Sequence, residues 1–480
     1  MKNNHISALQ ELFYNALSMQ WDSIDRLPAS GSDRIYFRIR YKQNKSLLGV
    51  YNPHIAENRC FIEYAQHFSE KNLNTPCIIA VDASSLYYLV EDISSVDLFS
   101  SLTYANKNKD WNIQTLSLIK DSLRALVNIQ IEGDKGLNYK VAYPVPEFDI
   151  RSVKWDFNYF KYYLLKPKGI SFDELQLEKD FETFAQWLTT NHIEAFMFRD
   201  FQSRNVLIKE SKPYFIDFQG GRKGPVAYDL VSFLWQVSAN IPASIKEELI
   251  DFYLVELGRK VDIDTHDFKS KLPGFVIFRL MQVMGAYGYR GLYERKPHFL
   301  KSLQPSFCAL NDFLQNHKLP ILLPELERIL MLLALEGKVV KNDSNRLNIQ
   351  VCSFSYLKSG IPKDSSPNGG GHVFDCRFLP NPGRIDQYKS QNGTDSEVIQ
   401  YLENQKEVHK FIDSAFKIID ASVENYLERN FTNLMISFGC TGGQHRSVYS
   451  AERTFEHLKE KYDVDISIEH VMKDHWISNH

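Results

Sequence analysis

Arg199-Asp200-Phe201-Gln202-Ser203-Arg204-Asn205-Val206-Leu207-Ile208 is followed closely by Tyr214-Phe215-Ile216-Asp217-Phe218-Gln219, and these two stretches decide the fold. Each places a polar residue beside an apolar run, as in a hairpin buried on its far side. Phosphoryl transfer asks a protein mainly to position groups and neutralise charge. It needs a carboxylate to orient and deprotonate the acceptor hydroxyl, and hard oxygen ligands for Mg²⁺. Asp200 suits the first task, and Asn205 and Asp217 suit the second. The competing reading is a capping aspartate and a turn asparagine between two core strands.

The order of elements around the motif favours the first reading. Upstream, strands are expected over 34–41 and 46–51, a helix over 54–72, and strands over 77–81 and 86–90, which make a small antiparallel sheet with one helix. The N-terminus reads as an amphipathic helix carrying Leu9, Leu12, Phe13 and Leu17 on one face. From 96 to 330 the periodicity is mostly helical, clearest at 113–131, 172–192, 227–237, 244–258 and 273–293. Residues 337–347 are polar and read as a linker. Beyond them, strands at 348–354, 372–378 and 432–438 alternate with helices at 395–428 and 447–462, as in an α/β domain. The expected organisation is therefore an α+β bilobal protein-kinase-like domain over 1–336 (lobes 1–92 and 93–336), then a smaller α/β domain over 348–480.

Composition narrows the class. With 480 residues the chain exceeds one ordinary core. A net charge of -3 argues against a general nucleic-acid binder. The six cysteines show no CxxC pair, which fits a reducing compartment better than a disulfide framework. No stretch reaches the ~20 apolar residues that cross a bilayer, and the N-terminus lacks a signal-peptide core. The expectation is a cytoplasmic protein without a membrane partner.

The nucleotide side of the first domain is less distinct. Ser30-Gly31-Ser32-Asp33 are small residues between strands that would let backbone N–H groups approach ATP phosphates, although a plain turn looks the same. Glu91 has the place of a hinge residue for the adenine edge. The strand expected to carry a phosphate-binding lysine reads Leu47-Leu48-Gly49-Val50-Tyr51-Asn52 and has none. Lys45 and Arg34 are the two substitutes, and Glu63 reads as a solvent-facing charge.

These motifs, with Gly224-Pro225-Val226-Ala227-Tyr228-Asp229, resemble the aminoglycoside phosphotransferase-like superfamily over residues 5–320. Within it, they resemble the bacterial anomeric sugar kinases of cell-wall recycling (AmgK type). The DFQ in place of DFG, the Ala-Ser-rich turn before an arginine-rich strand and the missing lysine carry that likeness. It implies a Mg²⁺- and ATP-dependent transferase acting on N-acetylmuramate or N-acetylglucosamine at the anomeric hydroxyl, with Asp200 catalytic. Two departures are Phe198, where the family has a histidine that supports the loop, and Gly220-Gly221 after DFQ. Asp229 is expected to brace the loop rather than touch substrate.

A second anion-type motif lies near the C-terminus. An apolar strand, Leu434–Gly439, runs into Cys440-Thr441-Gly442-Gly443-Gln444-His445-Arg446-Ser447, and a helix follows. Backbone N–H groups and the helix dipole converge at such a loop, and an arginine there can hold phosphate oxygens bidentately. Cys-x5-Arg-Ser is also the spacing of cysteine-dependent phosphatases. A tight turn around a buried cysteine is the structural alternative. Asp375 and Arg377, at the end of the 372–378 strand, are expected to meet this loop at the carboxyl ends of adjacent strands, or else to be a surface ion pair.

VFDCRFLPNP and GCTGGQHRSV resemble the C-terminal domain of RapZ, the RNase adaptor that senses glucosamine-6-phosphate, over 346–480. That resemblance implies a phosphorylated amino sugar bound by Asp375, Arg377 and Cys440 to Ser447. It also raises an RNA or RNase partner, against which 346–480 shows no concentrated basic stripe. The rival readings are a kinase fused to a phosphatase, and a pseudokinase in a regulatory protein.

Overall fold

In the five-stranded antiparallel sheet near the N-terminus, successive residues of each strand feed opposite faces, and each face has its own helix. The computed structural model describes residues 2–28, 33–43, 45–93, 96–338, 346–364, 370–429 and 431–476. The strands are β1 (Ser23–Arg26), β2 (Ile35–Tyr41), β3 (Lys45–Tyr51), β4 (Ile78–Val81) and β5 (Tyr87–Glu91), in the order β1-β2-β3-β5-β4. Phe37, Ile39, Leu47 and Leu89 pack on one side with Leu9 and Phe13 of the helix Lys2–Leu17. Val50, Tyr88 and Val90 pack on the other with Phe61, Tyr64, Ala65 and Phe68 of the helix Ile55–Glu70. This is the period-2 alternation of a strand at work on two cores. Gly49 makes room for the first helix, since a Cβ there would sit 2.9 Å from Leu9 Cδ2. The short strand β1 was not expected from the sequence.

The rest of this unit is helical apart from two small hairpin-like pairs. Strand β6 (Glu194–Met197) pairs with β9 (Arg222–Pro225), and β7 (Val206–Lys209) pairs with β8 (Lys212–Phe215), both antiparallel. Helices Ile113–Asp134, Ala227–Leu234 and Thr265–Tyr287 pack around these pairs in one continuous apolar cluster. Together, the sheet and the helical lobe make the α+β bilobal protein-kinase-like fold. Helices Leu98–Asn108, Ile150–Phe160, Pro297–Asn316 and Pro324–Lys338 add to those read from periodicity.

The chain divides into two compact units, residues 1–340 and 341–480. The helix Pro324–Lys338 runs into the stretch expected as linker, of which 339–345 lie outside the described residues. The second unit is α/β, built on a parallel sheet of β10 (Asn348–Ser355), β11 (Gly371–Asp375), β12 (Asn433–Cys440) and β13 (Asp465–His470), in the order β11-β12-β10-β13. Strands β10 and β12 are buried almost throughout, as inner strands covered on both faces must be. The expected helix over 395–428 is two helices, Ser396–Glu403 and Lys406–Glu428, because the first ends at Asn404, whose N–H returns to Gln400 O. The 372–378 strand stops at Asp375. Among the described residues no helix is long and apolar enough to cross a membrane.

Candidate functional site

The loop between β6 and β7 is held by a buried carboxylate. Asp229 is fully buried and accepts hydrogen bonds from the backbone N–H of Phe198 (2.7 Å) and of Arg199 (2.9 Å) and from Gln130 Nε2 (3.0 Å). Burial pushes its carboxyl up to about 7, against the pull of those three donors. Its grip allows Arg199 to adopt a left-handed backbone (φ 79°), a conformation non-glycine residues resist. Phe198, where a loop-supporting histidine was missing, is instead fully buried and packs edge-on against Phe196, Phe201 and Phe215. Apolar packing and Asp229 therefore replace the absent polar support.

Asp200, Asn205 and Asp217 come together at this loop. Asn205 Nδ2 donates to Asp200 O (2.9 Å), and Ile216 N donates to Asn205 O (3.0 Å). Asp217 follows directly, itself left-handed at φ 67°, and accepts from Gln219 Nε2 at 2.7 Å. Its side chain is 46% exposed at the cleft, and desolvation still raises the carboxyl above its ordinary range, with the charge of Asp200 adding to the rise. The donor set fits a hard cation that keeps several waters. The nitrogen end of Asn205 is engaged, so its oxygen faces the other way, and a cation would relieve the desolvated Asp217. Among the described residues there is no cluster of three His, Cys, Asp or Glu side chains that would cage a metal.

Of the two residues read as substitutes for the missing lysine, Arg34 lies at the cleft and Lys45 does not. Arg34 is buried, donates from Nη2 to Glu57 Oε1 (2.6 Å) and reaches Asp217 Oδ1 from Nη1 (3.5 Å). Its Nε is buried without a hydrogen-bond partner. Glu57 is fixed in turn by Asn52 Nδ2 at 3.0 Å. Lys45 lies at the far end of the β2–β3 hairpin, opposite Tyr41, and is exposed. The helix partner is thus Glu57, while Glu63 accepts from Asn138.

Two nucleotide-side expectations fare differently. Glu91 has its carboxylate on Lys209 (2.8 Å) and its N–H on Cys77 O (3.0 Å), so neither is left for an adenine edge. Asp33 is exposed and pairs with His54 (3.2 Å), and Ser30, Gly31 and Ser32 lie outside the described residues.

Asp200 opens onto a pocket of about 710 Å³ lined by Asp156, Arg204, Arg279, Gln282 and Tyr287, among others. Its carboxylate, 52% exposed, lies 3.4 Å from Arg279 Nη1, which also donates to Tyr228 Oη (3.1 Å) and to Gln282 Oε1. None of these pocket residues was singled out from sequence except Asp200. Arg204 sits in the same loop as Asp200, while Asp156, Arg279, Gln282 and Tyr287 come from helices remote in the chain, and no local pattern marks them.

In the second unit the expected juxtaposition is present. Strands β11 and β12 are neighbours with Asp375 opposite Gly439, so Asp375, Arg377 and the loop after Cys440 share the carboxyl end of the sheet. Asp375 and Arg377 form a half-exposed bidentate pair (2.6 Å at its shortest), and the Arg377 guanidinium stacks over Tyr356 at 4.1 Å. The hydrogen bonds from Arg377 hold the Asp375 carboxyl below its ordinary range.

The loop itself is mostly turned inward. Arg446 is 4% exposed and donates from Nη1 to the carbonyls of Arg377 (2.6 Å) and Leu379 (3.0 Å), while its Nη2 reaches Thr441 Oγ1 (3.4 Å) and its Nε is buried without a hydrogen-bond partner. Gln444 ties down Gln391 O (2.7 Å), and His445 pairs with Tyr388 O (2.9 Å). Desolvation also lowers the His445 pKa, which keeps it neutral. Cys440 is 3% exposed, with its sulfur 3.1 Å from Ser447 Oγ and 3.2 Å from Gly443 N. Only Thr441 and Gly442 are exposed, and Gly443 has φ 70°.

Residues 347–473 match the RapZ C-terminal domain family, and residues 158–263 match the phosphotransferase enzyme family. A "nucleotide-binding protein" of Endomicrobium trichonymphae is 33% identical over 231 residues, which cover 48% of this chain and 75% of that protein. The chain belongs to this nucleotide-binding protein family. Another such relative, from Staphylococcus carnosus, is 38% identical over 130 residues, or 27% of this chain and 40% of its own length. One from Hahella chejuensis is 36% identical over 28% of this chain and 44% of its own length. The chain thus spans less than half of these last two relatives. Among solved structures, the amicoumacin kinase hAmiN in complex with AMP-PNP, Ca²⁺ and Ami gives a TM-score of 0.43 at 11% identity, covering 70% of this chain and 96% of that one. A choline/ethanolamine kinase family protein from Mesorhizobium loti gives 0.45 at 13%, covering 69% and 99%.

The two family matches fall one in each unit of this chain, and each takes in a loop described above. The phosphotransferase match contains Asp200, Asn205, Asp217 and Asp229. Arg34 and Arg279 lie outside it on either side.

Proposed function

We propose that the chain is a Mg²⁺- and ATP-dependent kinase that phosphorylates an amino sugar, N-acetylmuramate or N-acetylglucosamine, at the anomeric hydroxyl. Its C-terminal unit binds a phosphorylated amino sugar and regulates that activity. The observation that carries the reading is the position of Asp200 between two environments. On one side lie Asn205, Asp217 and the Arg34 guanidinium with its unpartnered Nε. On the other lies a pocket whose wall alternates carboxylates, guanidinium groups and amides, the lining a polyhydroxy acceptor needs.

Asp200 orients the acceptor hydroxyl and takes its proton as the oxygen attacks phosphorus. Asn205 and Asp217 would hold Mg²⁺, which neutralises charge on the phosphates. Arg34, anchored by Glu57, takes the role of the absent lysine toward those phosphates. Asp229 acts only through the backbone of the loop. The protein works in the cytoplasm.

For the C-terminal unit, the burial of Cys440 favours a binding loop over a phosphatase, which needs an accessible thiolate. Arg377 is an exposed cation at this sheet edge. Arg34 likewise weakens the pseudokinase reading, since the missing lysine was half of its motivation. Incubation with ATP and a panel of N-acetylmuramate, N-acetylglucosamine, glucosamine and an aminoglycoside, with product position read by ³¹P NMR, tests the proposal. A sugar 1-phosphate is expected. Phosphate appearing only on an aminoglycoside, or only as inorganic phosphate, would refute it.

A further inference from the structure

Beside the acceptor pocket, two short π-helical segments pack against each other, Lys161–Leu165 and Gly288–Tyr293. Their contact depends on glycine. A Cβ on Gly288 would collide with Tyr163 O, and one on Gly285 would lie 2.7 Å from Phe160 N. The close approach aligns four rings. Tyr159 stands 4.9 Å from Tyr163 and 5.7 Å from Tyr289, and Tyr293 stands 5.9 Å from Tyr163 and 5.6 Å from Tyr289. π-Helical turns are uncommon and frequently sit at functional sites.

The tyrosine row is exposed and continuous with the pocket. Tyr159 and Tyr293 are 43% and 69% exposed, an unusual placement for large rings that already have partners to bury against. Tyr159 and Tyr287 both line the acceptor pocket, so the row begins inside it and runs outward. A pocket of about 710 Å³ is in the range that takes drug-sized ligands, well beyond a single hexose ring. Tyrosine offers an apolar face for the C–H side of a pyranose and a hydroxyl for its polar edge.

We propose that Tyr159, Tyr163, Tyr289 and Tyr293 form a second carbohydrate subsite, so that the acceptor is a reducing disaccharide of N-acetylhexosamines whose non-reducing ring stacks on this row. The inference rests on the sugar-kinase reading above. The ring being phosphorylated sits at Asp200, and the next ring leaves the pocket past Tyr159.

The test compares kcat/KM for N,N′-diacetylchitobiose and for N-acetylglucosamine, in the full chain and in the variants Tyr293→Ala and Tyr289→Phe. The disaccharide is expected to be favoured by about tenfold. Tyr293→Ala should collapse that ratio toward one, and Tyr289→Phe, which keeps the ring, should largely preserve it. A purely structural tyrosine would lower both substrates in proportion and leave the ratio unmoved. Phosphorylation of the monosaccharide with no disaccharide preference overturns the subsite alone. Phosphorylation of neither sugar, nor of N-acetylmuramate run beside them, overturns the sugar-kinase reading and the subsite with it.

Discussion

The cleft of the first unit and the Cys440–Ser447 loop share a pattern in sequence, since each joins small residues to an arginine beside a strand. In the structure their arginines differ in partners. Both keep a buried Nε without a hydrogen-bond partner. Arg34 gives Nη2 and Nη1 to two carboxylates, Glu57 and Asp217. Arg446 gives its Nη1 to the carbonyls of Arg377 and Leu379 and holds the fold of its own neighbourhood. A buried arginine surrounded by acids is poised for anions that arrive with a cation. One already bonded to backbone oxygens is a brace. Spacing in a motif cannot separate the two cases, because what differs is the partner, and the partners lie far away in the chain.

The largest effect is expected at the cleft. Asp200→Asn should lower phosphoryl transfer by about 10²–10⁴-fold, the range for loss of a positioned base, and Asp217→Asn should lower it and raise the Mg²⁺ concentration required, each with the circular dichroism spectrum unchanged. Arg34→Ala should raise the KM for ATP and lower the stability of the first unit by about 3 kcal/mol, because it strands Glu57 in a largely buried site. Arg34→Lys should restore stability better than affinity, since one ammonium cannot bridge Glu57 and the phosphates together.

At the C-terminal loop the order reverses. Arg446→Ala should destabilise the C-terminal unit by about 2 kcal/mol through two stranded carbonyls, seen as an earlier unfolding transition. Arg377→Ala should leave that transition in place and weaken binding of glucosamine-6-phosphate, measured by calorimetry. Equal loss of binding in Cys440→Ser and Arg377→Ala would break the distinction between an inward and an outward half of the loop.

A pH dependence tests the brace behind the cleft. Asp229 has a folded-state pKa near 7 against an ordinary 3.8, so the folded chain holds an extra proton between those values. Stability from this group therefore falls as pH rises from about 4 to about 7 and is level above that. The unfolding midpoint of the first unit, compared between wild type and Asp229→Asn across this window, should show a slope present only in the wild type.

Much of this architecture could be read from residues in order. Asp200, Asn205 and Asp217 are close in sequence, and the apolar runs beside them force the loop geometry that gathers them. Strand β12 reads as a mostly apolar run and β10 carries Ile349, Val351, Cys352 and Phe354 among polar residues, but β13 reads Asp-Ile-Ser-Ile-Glu-His, an edge strand whose alternating polar residues hide it. Glu91 sits at the right strand end, yet a lysine more than a hundred residues later takes its carboxylate. The acceptor pocket and the tyrosine row depend on helix packing that no local period encodes. Arg34 was visible only as one of two substitutes, and Glu57 alone decides between them.

The most direct test of the account is the dependence of ATP consumption on added amino sugar, followed as ADP release by the wild-type chain with Mg²⁺. The cleft described here predicts slow release alone and a large acceleration on adding N-acetylglucosamine or N-acetylmuramate, abolished in Asp200→Asn. A rate indifferent to every sugar offered, or an acceleration that survives in Asp200→Asn, would contradict it.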